Sequence, residues 1–161
     1  MLAPSPQGLR KNGFSLGWKL DYTHFMRPNA GFSEREHTAD WELEVWAPDF
    51  PGLLEQAAQG MYSISGLRLK KEPRQEREIQ LTALDREGML VRFLAELVNL
   101  GEQEHLGFDV FQFTLEGDRL SVGMEGAPIA SQDKEIKAVT YHNLCIRETD
   151  EGLAVNIVFD V

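Results

Sequence analysis

The sequence has little of several features, and each shortage excludes a class of protein. It contains one cysteine, Cys145, among 161 residues, which rules out a disulfide within the chain and fits a reducing compartment. An isolated thiol in an expected strand is interpreted as a packing residue. No apolar run approaches the ~20 residues of a membrane span, and the first residues lack the apolar region of a secretory signal. We therefore expect a cytoplasmic protein without a membrane partner.

Several signatures of catalytic sites are also missing. The sequence has no phosphate-binding loop and no Gly-x-Gly-x-x-Gly, so it offers no nucleotide cradle of its own. It has no Gly-x-Ser-x-Gly elbow for a serine nucleophile.

Positive charge is in short supply. The chain has 16 basic and 26 acidic residues, for a net charge of −10. Residues 1–30 hold four basic residues and one acidic residue, a charge of +3, which leaves −13 on the remainder. A body this acidic is a poor direct ligand for nucleic acid, because that affinity comes from cations that replace counterions on phosphate. It suits a metal-binding protein or one that docks on a basic partner.

A hydrophobic fraction of 42% over this length predicts one domain with a substantial core. Residues 1–30 show no sustained periodicity and contain several prolines and glycines, so we expect a flexible N-terminal extension followed by a domain over residues 31–161. Apolar residues alternate in segments typical of strands and recur at helical spacing in two others. The expected class is α+β: a mixed, largely antiparallel sheet with two helices packed on it, in a single domain.

The expected elements follow from these patterns and from their caps. Asp49 and Asp85 are plausible N-caps for the two helices, and Gly117-Asp118 indicates a hairpin turn. The strands are expected at 40–46, 76–84, 108–116, 119–125, 136–147 and 153–161, the helices at 52–64 and 87–101, and a loop at 126–134.

Two carboxylates at opposite ends of the domain are candidate metal ligands. Asp40 begins one expected strand and Asp160 ends another, and both lie on the face away from the core. Carboxylate oxygens at strand ends are what calcium or magnesium requires, although surface aspartates occupy the same positions for solubility alone. His37, just before Asp40, could be a ligand, an acid or a capping group.

A third candidate segment contains Lys137, Thr140, Tyr141 and His142. On a regular strand Thr140 and His142 share one face while Lys137 and Tyr141 share the other. The four side chains therefore form no single catalytic cluster unless a bulge intervenes.

Taken together, these motifs resemble the archease family. The segments that carry the resemblance are His37-Thr38-Ala39-Asp40, the first helix, the Leu90–Leu97 stretch, Ile136–His142 and the ending Phe159-Asp160-Val161, and they span essentially residues 31–161. Trp41 departs from the family pattern, and residues 1–30 have no identified counterpart in it.

The resemblance implies an accessory protein, not an enzyme, that activates the GTP- and manganese-dependent tRNA-splicing RNA ligase by promoting its guanylylation and multiple turnover. It also implies a divalent-cation site, calcium being the expected ion, with Asp40, Asp160 and Val161 as ligands. The terminal carboxylate of Val161 would complete an all-oxygen site. A chaperone for a tRNA cytosine methyltransferase is the alternative, and an independent metal-dependent hydrolase is less favoured because no general base can be placed beside the aspartates.

The remaining motif residues receive separate roles. We expect Lys137 to be exposed near the metal and, with His37, to face the partner, since a flexible ammonium group suits a phosphate or carboxylate. Thr140, Tyr141 and His142 are interpreted as structural, with His142 mostly buried and hydrogen-bonded between strands.

Overall fold

The structure is a computed structural model that describes residues 29–35 and 40–161. The expected N-terminal extension lies almost wholly outside the described residues, and so does His37. Elsewhere the elements are, in chain order, β1 (Gly31–Arg35), β2 (Trp41–Ala47), α1 (Phe50–Ile64), β3 (Arg68–Leu69), β4 (Gln75–Thr82), α2 (Arg86–Glu104), β5 (Leu106–Glu116), β6 (Arg119–Ser131), β7 (Ala138–Val139), β8 (Arg147–Thr149) and β9 (Gly152–Asp160).

The strands form two sheets. In the first sheet the order is β1-β2-β9-β7, and β8 pairs with β9 as well. In the second sheet β6 pairs with β5, β4 and β3. All of these pairs are antiparallel. The α+β class is confirmed, with the strands divided between two sheets.

Each helix begins at an aspartate cap. The Asp49 carboxylate accepts a hydrogen bond from the Gly52 N–H at 2.8 Å, and the Asp85 carboxylate accepts one from the Gly88 N–H at 2.7 Å. Both caps satisfy N–H groups that have no partner within the helix. The two predicted caps are thus confirmed.

A single core joins the sheets and helices. From β2 and β9 it takes the alternate residues Leu43, Val45, Val155, Ile157 and Phe159. Phe93 of α2 meets Phe111 and Phe113 of β5 edge to face, with ring centroids 5.8 and 5.4 Å apart. In the described part of the chain, no helix is long and apolar enough to cross a membrane.

Two predicted elements are wrong. Residues 136–147 do not form one strand: β7 and β8 both pair with β9, and residues 140–146 leave the sheet between them. Residues 126–134 are not all loop, because β6 continues to Ser131. Gly126 permits this continuation, since a Cβ there would collide with the Gly107 carbonyl oxygen of β5.

Cys145 lies in the segment that leaves the sheet and is exposed. The packing role expected for it is therefore wrong. The expectation depended on a regular strand at this position, which the chain does not form.

Candidate functional site

The register of the first sheet brings Asp40 and Asp160 to the same end of the sheet, where β2 begins and β9 ends. This end of the sheet is called the edge below. Trp41, the first residue of β2, pairs with Phe159 of β9. Asp40 directly precedes that pair and Asp160 directly follows it; the ladder ends at the pair, and continuing its register by one residue would set the two aspartates opposite each other. Side chains directly opposite in such a ladder share a face, with Cβ atoms about 4.5–5.5 Å apart. The parity expected of the two aspartates is therefore compatible with a shared site.

Lys137 lies on the other side of Asp160. Ala138 of β7 pairs with Asp160, and the Lys137 N–H donates to the Asp160 carbonyl at 2.8 Å. Lys137 is exposed, as expected. Asp160 thus lies at the end of β9, with the start of β2 on one side and the start of β7 on the other.

Val161 follows Asp160 and is half-buried, with its side chain packed against the core. Asp160 itself is exposed, whereas Asp40 is half-buried. Packing of Val161 holds the main chain in place immediately after Asp160. The main chain of Val161 is thus the next group along the chain from the exposed carboxylate.

A polar network crosses the face of the sheet that carries the two aspartates. The Arg35 guanidinium lies 3.5 Å from the Glu42 carboxylate. The Asn156 amide donates to the same carboxylate at 3.1 Å and accepts from Arg147 at 3.2 Å. This chain of contacts links β1, β2, β9 and β8. It holds in register the strands that carry Asp40 and Asp160.

The segment 140–146, named here the 140–146 turn, is fixed at both ends. The Thr140 N–H and hydroxyl both donate to the Val158 carbonyl, at 3.0 and 2.9 Å. The Ile146 N–H donates to the Glu87 carboxylate of α2 at 2.9 Å. Asn143 has a φ of 52°, in the left-handed region that asparagine tolerates better than most residues. The turn is thus anchored to β9 at its start and to α2 at its end.

His142 and Tyr141 lie at the tip of this turn. His142 is exposed, and its imidazole Nε2 lies 3.2 Å from the Asn143 amide nitrogen. The expectation that His142 is buried between strands is wrong, because the chain has already left the sheet at this point. Tyr141 is 59% exposed. Only Thr140 of the three expected structural residues makes a hydrogen bond to the neighbouring strand.

The donor set at the edge fits a hard divalent cation. Two carboxylates and the main-chain oxygens of Val161 are all oxygen ligands, which calcium accepts in sets of six to eight, completed by water. Within residues 29–35 and 40–161, no group of three or more histidine, cysteine, aspartate or glutamate side chains is placed to hold a metal. A site here would therefore use two side chains, main-chain oxygens and water. His37 lies outside the described residues.

Glu87 is a site residue that the sequence did not reveal. It lies in the first turn of α2, where an acidic residue is favoured by the helix dipole alone. Its contact with Ile146 joins residues 59 positions apart. No local pattern in the sequence indicates such a pairing.

Comparison with known proteins agrees with this architecture. Residues 32–161 match the archease protein family (MTH1598/TM1083). The chain is 32% identical over 137 residues to an archease of Methanosarcina mazei, covering 78% of this chain and 92% of that protein.

Two solved structures share the fold. An archease from Thermotoga maritima, described as a possible chaperone, is 26% identical and superposes with a TM-score of 0.60, covering 80% of this chain and 96% of that one. Protein 1598 of Methanobacterium thermoautotrophicum is 21% identical, with a TM-score of 0.61 and coverage of 81% and 99%. The family match over four-fifths of the sequence, together with the shared fold, shows that the chain belongs to the archease family.

Proposed function

We propose that this protein is an accessory factor for the tRNA-splicing RNA ligase, a GTP- and manganese-dependent enzyme, and that it promotes ligase guanylylation and multiple turnover. Family membership is the observation that carries the proposal. The juxtaposition of Asp40, Asp160 and Lys137 at one sheet edge supports it, because this edge joins a pair of carboxylates to an exposed cation. The cytoplasm is the compartment in which we expect it to act.

The edge would act as a binding element. Asp40, Asp160 and the main-chain oxygens of Val161 would hold a divalent cation, calcium being the ion we expect. When bound, the ion would neutralise two neighbouring carboxylates and keep the ends of β2 and β9 together. Lys137, exposed and next to Asp160, would offer a point charge to a phosphate or carboxylate of the partner. His37 is proposed to face the same partner.

A second function is a chaperone for a tRNA cytosine methyltransferase. It has one specific support, the description of the Thermotoga maritima archease as a possible chaperone. Both functions place the protein beside an RNA enzyme without chemistry of its own on RNA. Co-purification of each enzyme with the protein would distinguish the two.

A ligase assay tests the leading proposal. Added at a substoichiometric amount to ligase, GTP, manganese and cleaved tRNA, the wild-type protein should raise the number of ligations per ligase molecule. Asp160→Asn and Lys137→Ala should each reduce that gain at least tenfold. Asp150→Asn and Lys71→Ala are matched controls, since both residues are exposed, Asp150 at the opposite end of β9 and Lys71 between β3 and β4, and they should behave as wild type.

Two results would contradict the proposal. One is RNA joining by this protein in the absence of ligase. The other is undiminished stimulation by the Asp160→Asn and Lys137→Ala variants together.

A further inference from the structure

A crevice opens where the two helices end. Its volume is about 270 Å³, and its apolar lining includes Met61 of α1, Leu97 of α2, and Leu106, Ile129 and Ile136. This volume is slightly below the ~300–1,000 Å³ of pockets for drug-sized ligands. The crevice, named here the helix-end crevice, therefore suits a single aliphatic side chain or a short alkyl chain.

The rim of the helix-end crevice is negative. Glu102 and Glu135 line it, and both are exposed. Among its lining residues in the described chain there is no lysine, arginine or histidine. The apolar group that enters should therefore be next to a cation and not an anion.

The C-terminal ends of the two helices add to the negative electrostatic potential of the crevice. Neither α1 nor α2 has a basic residue in its last turn. The partial negative charge at a helix C-terminus is usually offset by such residues. Here two helix ends with no basic residue in the last turn lie at the same crevice as the two carboxylates, and the C-cap of α2 is His105.

The crevice adjoins the edge that carries Lys137 and Asp160. Ile136, which is buried at 4% exposure, lines the crevice and directly precedes Lys137. The Lys137 N–H is bonded to Asp160. The segment 132–136 is held in place because the Ser65 carbonyl accepts the N–H groups of Asp133 and Lys134, at 2.9 and 3.1 Å. A partner seated on the edge would therefore reach the crevice without any rearrangement of the fold.

We propose that the helix-end crevice receives an aliphatic side chain of a protein partner that carries a lysine or arginine next to it. The cation pairs with Glu102 and Glu135 while the aliphatic group fills the space between the helix ends. The identity of that partner as the RNA ligase rests on the proposed function. The preference of the crevice for an aliphatic group next to a cation is independent of that function.

The first experiment tests the chemistry alone. Hexylammonium, hexanol and hexanoate are titrated into the full chain, and methyl NMR signals are followed. Hexylammonium should shift Ile129 and Ile136 at the lowest concentration, hexanol at a higher one, and hexanoate not at all. The double variant Glu102→Gln/Glu135→Gln should remove the advantage of hexylammonium over hexanol. Equal responses to hexylammonium and hexanoate, or shifts confined to other methyl groups, would overturn the proposal.

Gly101→Ala gives a blocking variant that keeps the fold. A Cβ at Gly101 would meet Ile129 Cδ1 at 3.7 Å and the Leu106 carbonyl at 3.8 Å, both ordinary contacts, so the added methyl narrows the crevice. Alanine also favours the helix over glycine. The matched control is Gly123→Ala, since a Cβ there meets nothing within 4 Å and Gly123 does not line the crevice. Hexylammonium affinity should fall at least fivefold in Gly101→Ala and remain unchanged in Gly123→Ala.

The second experiment uses the ligase. Gly101→Ala and the larger Val98→Phe should weaken ligase binding at least tenfold, with calcium affinity unchanged. If ligase binds wild type and Val98→Phe equally well, the docking proposal is overturned. If wild type fails to bind ligase at all, the proposed function fails, while the amine titration still decides the chemistry of the crevice.

Discussion

At the scale of single residues, Tyr62 is a partly buried side chain whose hydroxyl group lies in the protein interior. Its hydroxyl oxygen is buried and has no hydrogen-bond partner among the residues described. Burial raises the pKa of the Tyr62 phenol, the main chain of Phe108 partly offsets this rise without reaching good hydrogen-bond geometry, and the nearby Asp109 carboxylate adds to it. The neutral phenol is therefore strongly preferred in the folded protein.

Tyr62→Phe should leave the free energy of unfolding at pH 7 unchanged or raise it by up to ~1 kcal/mol, because it removes a buried hydroxyl that makes no compensating bond. The difference should grow at high pH. Above about pH 10 the phenol ionises in the unfolded state but not in the folded one, so the unfolded state binds fewer protons and stability falls as pH rises. Urea unfolding between pH 7 and 11 measures both effects.

The control for this substitution is Tyr141→Phe, since Tyr141 is 59% exposed and should give the wild-type pH profile. A loss of more than ~1 kcal/mol at pH 7 in Tyr62→Phe, the usual worth of a satisfied hydrogen bond, would mean that the hydroxyl has a partner after all.

At the scale of elements, the 140–146 turn is the feature that departs most from a regular sheet. β7 and β8 pair with the same strand, β9, so the turn is an excursion from one interrupted edge strand. Leu144 and Ile146 pack against the core, while Tyr141 and His142 point to solvent. The turn therefore presents the exposed side chains of Tyr141, His142, Asn143 and Cys145 from a fixed base.

Glu87→Ala should detach the C-terminal end of the 140–146 turn from α2. It removes the acceptor for the Ile146 N–H, a part-buried donor, and leaving such a donor unpaired costs about 1–3 kcal/mol. Hydrogen exchange at the Ile146 amide should accelerate at least tenfold, and ligase stimulation should fall if the turn faces the partner. Glu96→Ala, on the same helix, is the control. An unchanged Ile146 exchange rate in Glu87→Ala would contradict the anchoring role.

These elements also indicate how far the sequence can be interpreted. Both helices were predictable because their caps, Asp49 and Asp85, and their apolar stripes are local signals. The interruption at 140–146 was not, since its cause includes a bond to Glu87 that no local pattern encodes. For the same reason the continuation of β6 was missed: its last residues pair with β3, which is only two residues long.

In the candidate site, too, some features follow from local sequence signals and others depend on long-range contacts. The parity of Asp40 and Asp160 followed from alternation along each strand, and their chemistry from residue type. Their placement at the same end of the sheet depends on the β2–β9 register, which no local sequence pattern determines. The 140–146 segment is visibly polar in the sequence, but its residues are not in a strand, so strand parity predicts the wrong environment for His142.

At the scale of the whole molecule, the acidic composition and the candidate metal site have opposite effects on stability. The chain carries a net charge of −10, and self-repulsion in such a body disfavours the compact state. Asp40 and Asp160 place two of these charges next to each other at the end of the first sheet. A divalent cation held between them would replace this repulsion by attraction, so that the site would stabilise the folded state.

Asp160→Asn should therefore change the free energy of unfolding in opposite directions with and without calcium. With EDTA present the variant should be more stable than wild type by about 0.2–1 kcal/mol, because like charges directly opposite in a ladder are destabilising by that order. With calcium at 100 times its dissociation constant, wild type should gain about 2.7 kcal/mol by mass action, and the variant should gain little. Asp150→Asn, at the opposite end of β9, should respond to calcium as wild type does. Urea unfolding of the three proteins in both buffers measures whether the order of stability of wild type and Asp160→Asn reverses. If Asp160→Asn is the less stable protein in EDTA, or if calcium stabilises it as much as wild type, the two aspartates do not form a shared cation site and the proposed role of this edge fails.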